Sequence, residues 1–404
     1  MLTPHSEHPV ILSKHARTCD RYRSRGRLLS ILLLLLWICS SCRQTVPTAG
    51  LWQGTTPSPA NPQFEIPNPK SHWLVLDTGG SGGAFGKGDL RHHLHDVVFW
   101  NRSLGWTCGY GGVFRTADGG HTWKRMLPGG GWHQVEMSGP EEIWLLEGKH
   151  PGGIGKVWLR RSTDGGRSWN EILSGKLDGY RDMFCFENQC WVLANSAVWH
   201  SADGGENWRE VDFGRGELGH LRPSRISLPP EQVSDKDFSV FILGAAGEER
   251  DRKTVLLKSD DSGESWKRLT ALPQDVGLRA LFFVNNRLGW VGGEQGKLWR
   301  TADGGETWQP CHLPTSQRVN DMWFDQTGKG FVAVQNNKVD NWGDALFETG
   351  DGGNTWAKAL DGAKQINRFY GLGPGQVWFV GDVTGRGSND LVGILQPSPN
   401  RRSP

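Results

Sequence analysis

The sequence predicts an all-β fold, a seven-bladed β-propeller of four-stranded antiparallel blades, and three observations carry that reading. The stretch TADGGHTW at residues 116–123 returns as STDGGRSW ending at Trp169, SADGGENW at Trp208, SDDSGESW at Trp266, TADGGETW at Trp308 and TGDGGNTW at Trp356. The six tryptophans lie 46, 39, 58, 42 and 48 residues apart, too far for the shorter helical repeats and about the length of one four-stranded sheet. Ahead of the copies stand short apolar runs bounded by Gly, Asn or Asp, such as LHDVVFWN, SLGWTCGY and GGVFR before the first, and a further strand begins inside the repeat as TWKRML. Four short strands in series make a meander, and many meanders in series make a propeller.

Taken from the N-terminus, the chain first shows RYRSRGRLLSILLLLLWICSSC, in which four arginines precede an apolar run from Leu28 to Ile38 and small residues lead to Cys42. That order and length is a secretory signal, and the run is short for a membrane span. The ending Cys39-Ser40-Ser41-Cys42 resembles a bacterial lipobox, so residues 1–42 read as a lipoprotein signal with Cys42 as the lipidated residue. Cys39 stands where a leucine is usual, which keeps a plainly cleaved signal and an uncleaved anchor as alternatives. Residues 43–71 carry six prolines among few apolar neighbours and read as a semi-extended linker.

The overall formal charge of +2 is a property of the signal segment. Residues 1–42 hold six basic and two acidic side chains, which leaves 39 basic against 41 acidic in the rest. A body so balanced gives no electrostatic reason to expect nucleic acid.

The repeated octet fits the hairpin turn between the third and fourth strands of a blade. Asp118 can accept backbone amides of its own turn, Gly119 and Gly120 can supply positive φ, and the Thr116 and Thr122 hydroxyls can tie the ends, leaving Trp123 to bury its ring between sheets. This is the Asp-box, or BNR, pattern. Asp118, Asp164, Asp203, Asp261, Asp303 and Asp351, with Trp123, Trp169, Trp208, Trp266, Trp308 and Trp356, are therefore structural, and Asn207 replaces the second hydroxyl in the third copy. A second tryptophan column, Trp106, Trp144, Trp191, Trp290 and Trp378, opens the second strands. Trp378 follows the last box and brings three strands of a seventh sheet. The strand-like HWLVLDTG at residues 72–79 supplies the missing fourth and closes the ring, so the propeller spans 72–396 and residues 397–404 form a disordered tail.

The runs GWTCGYGGVFRTADGGHTW and GWVGGEQGKLWRTADGGETW resemble the photosystem II assembly and stability factor family, seven-bladed propellers of cyanobacterial thylakoids and plastids, over residues 90–395. The resemblance implies a non-catalytic scaffold that holds a membrane-protein intermediate, a lipoprotein signal of the kind ending at Cys42, and an arginine-rich patch for the partner.

A basic column precedes the boxes: Arg115, Arg161, His200, Lys258 and Arg300, interrupted by Glu348. Most of these side chains are expected to lie over the repeated tryptophans. Blade two adds Arg160 where other units place an aromatic or leucine, which makes Arg160 and Arg161 the sequence's candidate partner contact. A sialidase-like enzyme needs an arginine cluster, a tyrosine nucleophile with a glutamate, and an acid. The chain after the signal has only Tyr110, Tyr180 and Tyr370, and HLRPSRISLPP at 220–230 reads as a loop before blade four. His92, His93 and His95 beside Asp96 form a polar run without a distant ligand, so no metal and no cofactor are assigned. CFENQC at 185–190 puts Cys185 opposite Cys190 across a two-residue turn, close enough for a disulfide in an oxidising compartment, whereas Cys108 and Cys311 show no local partner. The loops EGKHPGGIGK, AAGEERDRK and NNKVDNWGDA gather on one rim, where binding surfaces are grafted.

The function expected is that of an exported, membrane-anchored lipoprotein facing periplasm or lumen: a monomeric, non-catalytic propeller scaffold resembling photosystem II assembly factors that binds a membrane-protein subunit or another protein. The alternative class is a sialidase-like glycoside hydrolase or a carbohydrate-binding propeller.

Overall fold

The computed structural model describes residues 72–77, 93–148, 157–214, 218, 221–229, 238–247, 253–272, 277–335, 345–360, 364–383 and 390–396. The readings for the signal, Cys42, the linker and the tail lie outside these residues, as do His92 and most of the three variable loops.

The described strands form seven four-stranded antiparallel sheets. Their first strands are Leu94–Phe99, Trp132–Met137, Asp182–Phe186, Arg222–Ser227, Ala280–Phe283, Arg318–Phe324 and Lys364–Gly373, here the inner strands of blades one to seven. Each inner strand contacts the next, and the seventh contacts the first, which makes a closed ring around a central channel. Blades one to six each use four consecutive strands. In blade seven the outermost strand is His72–Asp77, antiparallel to Asp390–Gln396 over six residue pairs.

The octets form closed hydrogen-bond systems. In the first, Thr116 Oγ1 donates to Asp118 Oδ1 at 2.7 Å and accepts from the Gly120 amide at 3.0 Å, while the Thr122 amide and hydroxyl donate to the two Asp118 oxygens at 2.9 and 2.6 Å. In the third copy the Asn207 side-chain amide replaces the hydroxyl, donating to Asp203 Oδ2 at 2.7 Å. The fourth copy lacks the first glycine, and Ser262 takes the left-handed conformation with φ 57°. The second glycine is needed for space: a Cβ on Gly205 or Gly263 would stand 2.2 or 2.1 Å from the ring of Trp144 or Trp191 in the preceding blade.

Blade-to-blade packing is aromatic. Trp106, Trp144, Trp191 and Trp290 are fully buried, and phenylalanines 241 and 331 hold the same place in blades four and six. Of the octet tryptophans, only Trp123 is buried and the other five are half-buried, because each presents an edge to a neighbouring ring and leaves the rest near the surface. Trp169, Trp208 and Trp266 stand edge-on to Trp106, Trp144 and Trp191 at 6.5, 6.1 and 6.0 Å. Where the inner strand ends in phenylalanine, that ring is interposed: Phe324 stacks on Trp290 at 3.8 Å and Trp356 meets Phe324 edge-on. Blade seven has no octet, and Trp73 of the N-terminal strand meets Phe331 edge-on at 5.1 Å, the contact that octet tryptophans make elsewhere.

The basic column lies over the same aromatics. Arg161, Lys258 and Arg300 sit 5.1, 5.6 and 5.9 Å from the rings of Trp144, Phe241 and Trp290, and His200 stacks on Trp191 at 3.8 Å. Cys185 and Cys190 are register partners with Cα atoms 4.1 Å apart, and their sulfurs are joined.

Every inner strand carries an extra residue near its start. Register shifts fall between Leu94 and Asp96, Trp132 and Gln134, Pro223 and Arg225, Val319 and Asp321, and Ile366 and Arg368. In blades three and five, the backbone amides of Arg181 and Arg279 donate to the carbonyls of Leu193 and Gly292, whose ladder partners are Asp182 and Ala280. Such bulges re-aim side chains, here toward the channel and the next blade. They sit at the end of the channel opposite the octets, since first and third strands run the same way and the octet turn follows the third.

Candidate functional site

The doubled residues surround a cavity of about 520 Å³ at the channel mouth, lined among others by His95, His133, Arg181, Arg225, Arg279 and Arg368. In blades one, two, three and six the residue after the bulge stitches its blade to another. Asp96 Oδ2 accepts the Val135 amide at 3.0 Å, Asp182 Oδ2 the Ile226 amide at 3.0 Å, and Asp321 Oδ2 the Phe369 amide at 2.7 Å. Gln134 Nε2 donates to the Met183 carbonyl at 2.8 Å and to Asp182 Oδ1 at 2.9 Å. Backbone amides thus hold these buried carboxylates in place.

Arg368 forms the floor. Its guanidinium lies 3.4 Å from Asp96 and 3.5 Å from Asp182, reaching from blade seven to blades one and three. Burial pushes Asp96 up to about 6 despite Arg368 and two backbone amides, and it also raises Asp321 and carries Glu136 well above the usual carboxylate range. Burial opposes the charge on Arg368, but Asp182, Asp96, Asp321 and Glu136 together hold it more firmly protonated than a free guanidinium.

One wall is aromatic. His133 stacks between His95, at 5.4 Å, and Tyr180, at 4.3 Å, and Tyr110 meets His95 edge-on at 4.6 Å. His95 Nδ1 donates to the Trp132 carbonyl at 2.8 Å. Burial and His95 lower His133 to about 4 against a hydrogen bond to the Gly148 backbone, so this imidazole is neutral at pH 7.

The other wall is cationic. Arg279 is paired with Glu294 at 2.9 Å and Arg318 donates to the Gln335 side chain. Arg225 donates to the carbonyl of Ser224 at 3.0 Å, and its buried Nε has no partner. Among the described residues no carboxylate is paired with Arg181 or Arg225. Two guanidiniums without a salt bridge among the described residues, in a concave site, suit carboxylate, which a guanidinium binds through two parallel hydrogen bonds.

The sequence pointed to Arg160 and Arg161 instead. They lie on the third strand of blade two, outside the cavity lining, and both hold carboxylates: Arg160 with Glu147 at 2.8 Å, Arg161 with Glu142 at 2.6 Å and Glu206 at 2.9 Å. His93 and His95 share contacts to Tyr110, and among the described residues no group of three His, Cys, Asp or Glu side chains could hold a metal. The mouth arginines escaped the sequence reading. Their signal is a pair of residues before the apolar part of each inner strand: His95-Asp96, His133-Gln134, Arg181-Asp182, Ser224-Arg225, Arg279-Ala280, Asn320-Asp321 and Asn367-Arg368. It emerges only when all seven blades are aligned.

The photosystem II assembly lipoprotein Ycf48 of Synechococcus sp. (strain CC9902) is 26% identical over 111 residues, 27% of this chain and 32% of that protein. By sequence and by fold, the chain is similar to Ycf48. A structure of Ycf48 bound to a D1 peptide superposes with a TM-score of 0.59 at 19% identity, covering 85% of this chain and 100% of the other. Ycf48 from Cyanidioschyzon merolae gives 0.58 at 18% identity, covering 80% and 98%. The fold is shared more widely: a GH74 xyloglucanase from Xanthomonas campestris gives 0.57 at 14% identity over 78% of this chain and 53% of the enzyme. The sequence match with the Synechococcus protein spans about a third of that relative, and no family profile matches the chain.

Proposed function

We propose that the chain is a non-catalytic binding propeller of the photosystem-assembly type, whose channel mouth receives an acidic segment of a membrane-protein partner. The observation that carries it is the pair Arg181 and Arg225, cations without carboxylate partners among the described residues at a cavity large enough for a short peptide segment. The Ycf48 structure with a D1 peptide supports a peptide of a membrane protein as the class of partner. The sequence of residues 1–71 supports export and tethering through a lipid at Cys42, with the body acting as a monomer near the membrane surface. Arg160 and Arg161 serve in this reading as a second contact outside the mouth.

The site argues against a tyrosine nucleophile. Burial raises the phenol of Tyr370, and Glu136 and Asp96 raise it further; Tyr180 is raised by burial and by Tyr110. A nucleophile needs the opposite shift.

Changing Arg181 and Arg225 together to glutamine should weaken binding of an acidic peptide at least about tenfold, the size expected for lost charge-assisted hydrogen bonds, without moving the melting temperature. Unchanged affinity refutes the mouth as the contact. Hydrolysis of a sialoside or xyloglucan, abolished by a single change at Asp96 or Tyr180, would replace the scaffold reading with a glycosidase.

A further inference from the structure

Behind the mouth, three buried carboxylates and the half-buried Asp321 face one guanidinium. Asp96 from blade one, Glu136 from blade two, Asp182 from blade three and Asp321 from blade six all act on Arg368 of blade seven. Arg225 of blade four also acts on the set, through Asp321. Backbone amides fix the positions of three of the carboxylates, as described above. The contacts of Arg368 to Asp96 and Asp182, at 3.4 and 3.5 Å, are longer than charge-assisted hydrogen bonds of 2.7–2.9 Å. The guanidinium is thus shared among the carboxylates and held closely by none.

An anion entering the mouth meets Arg368 as the cation at its floor, with the buried carboxylates behind it. The incoming charge and these carboxylates compete for the same guanidinium. A proton taken up by the carboxylate set removes one competitor and one source of repulsion, so anion binding and proton binding favour each other, and by linkage each strengthens the other equally.

We propose that the carboxylates around Arg368 form a proton-linked gate on the mouth: an anionic partner segment binds with proton uptake and binds more tightly in mildly acidic than in neutral solution. This rests on the mouth being the binding site. Other groups bear on the gate. Cys108, from the second strand of blade one, and Tyr370, beside Glu136, are both held neutral by burial. His95 adjoins Asp96 in sequence, and His133 is neutral down to about pH 4. Arg181 and Arg318 line the cavity and stay charged throughout. The groups free to take up a proton between neutral and mildly acidic pH are therefore the carboxylates, led by Asp96, which burial holds near 6, with His95 as the one competing candidate.

The test uses the purified full chain in detergent and a synthetic peptide of cysteic acids, whose sulfonates keep their charge across the range. Affinity should rise about three- to tenfold from pH 7.5 to 5.5, and titration calorimetry at pH 6.5 in buffers of different ionisation heat should show net proton uptake. Asp96→Asn, or Glu136→Gln if the first variant folds poorly, should flatten the pH dependence by raising affinity at pH 7.5 toward its value at pH 5.5. Equal affinity at both pH values with no proton uptake overturns the gate and leaves the mouth standing. A dependence that survives both carboxylate variants but disappears in His95→Gln assigns the proton to the imidazole and overturns the gate as well. A peptide that binds at neither pH defeats the mouth reading itself, and the gate falls with it.

Discussion

The two ends of the channel are made by opposite strategies. At the octet end, six copies of one local device repeat, and the side-chain bonds of each device close within four residues, as from Asp118 to Thr116 and to Thr122. At the mouth nothing repeats except the bulge, and the side chains at the doubled positions run from histidine to arginine to asparagine, with bonds that reach other blades, as with Asp96 to Val135, 39 residues away, and Gln134 to Asp182, 48 residues away. One end is a frame that every blade must build alike. The other is a surface each blade can vary without disturbing the frame, which is where a repeat protein can place recognition.

This contrast can be broken or sharpened by experiment, and the largest effect belongs to the frame. Deleting residues 72–77 removes the outer strand of blade seven and should cost roughly 5 kcal/mol or more, with Trp73→Ala alone costing about 3 kcal/mol by loss of a large packed ring. An unchanged melting curve for the deletion would refute ring closure by this strand.

Next comes the Cys185–Cys190 link. Peptide mass spectrometry without reduction should find the two joined, and because the loop is short, replacing both with serine should cost about 2 kcal/mol. Two free thiols in the purified protein would contradict it.

A smaller effect separates the ends most cleanly. Asp303→Ala should cost about 1–2 kcal/mol, since it strips the partner of the Thr301 and Thr307 hydroxyls, and should leave peptide affinity alone. Arg225→Gln should do the reverse. If a single substitution at either end moved both quantities, the division between frame and recognition surface would fail.

The pH responses also differ in sign. The octet carboxylates Asp203 and Asp261 are lowered to about 2, the first by Asn207 and the second by Ser265 and Ser259 against slight burial, so the stability they contribute is present above about pH 4 and is lost as pH falls through 2. Asp96 is raised instead: its contribution is full below about pH 4 and is lost as pH rises through 6. His133 opposes it, since a buried neutral imidazole loses stability as pH falls below 6.5 toward 4. Replacing Asp96 with asparagine should therefore remove the falling contribution and leave the rise set by His133, so that stability climbs more steeply with pH between 4 and 6 than in the parent, measurable by thermal melts across that range. The smallest effect expected is for Arg160→Ala with Arg161→Ala, where the freed Glu147, Glu142 and Glu206 are solvent-accessible. Binding should fall only severalfold, with the loss larger at low salt.

How much of this was legible in the sequence follows from the same contrast. The octets could be read because all their partners lie within one short window, and the tryptophan columns because the repeat aligns them. The half-buried state of Trp169, Trp208, Trp266, Trp308 and Trp356 could not, since it depends on how far a neighbouring blade covers each ring. The mouth was invisible residue by residue: Arg368 is an ordinary arginine in INRFYG until six other inner strands converge on it. Arg160 and Arg161 drew notice because they break a local pattern, yet their nearby carboxylates Glu147, Glu142 and Glu206 come from three different strands or turns.

Trp73 carries a consequence for how the ring comes into being. The strand that bears it is made before every blade, while its partner Asp390–Gln396 is made after all of them, some 320 residues later. Bringing such distant ends together costs about 3 kcal/mol more chain entropy than closing a hairpin of about ten residues. The seventh blade cannot close until Asp390–Gln396 has been made. The closing event is thus the most non-local step of folding and the slowest by topology, and until it occurs the first strand and the seventh sheet each present an open edge. A chain made from its N-terminus delivers those two edges at opposite times, so the interval before closure is when it is most exposed to pairing with a second copy of itself.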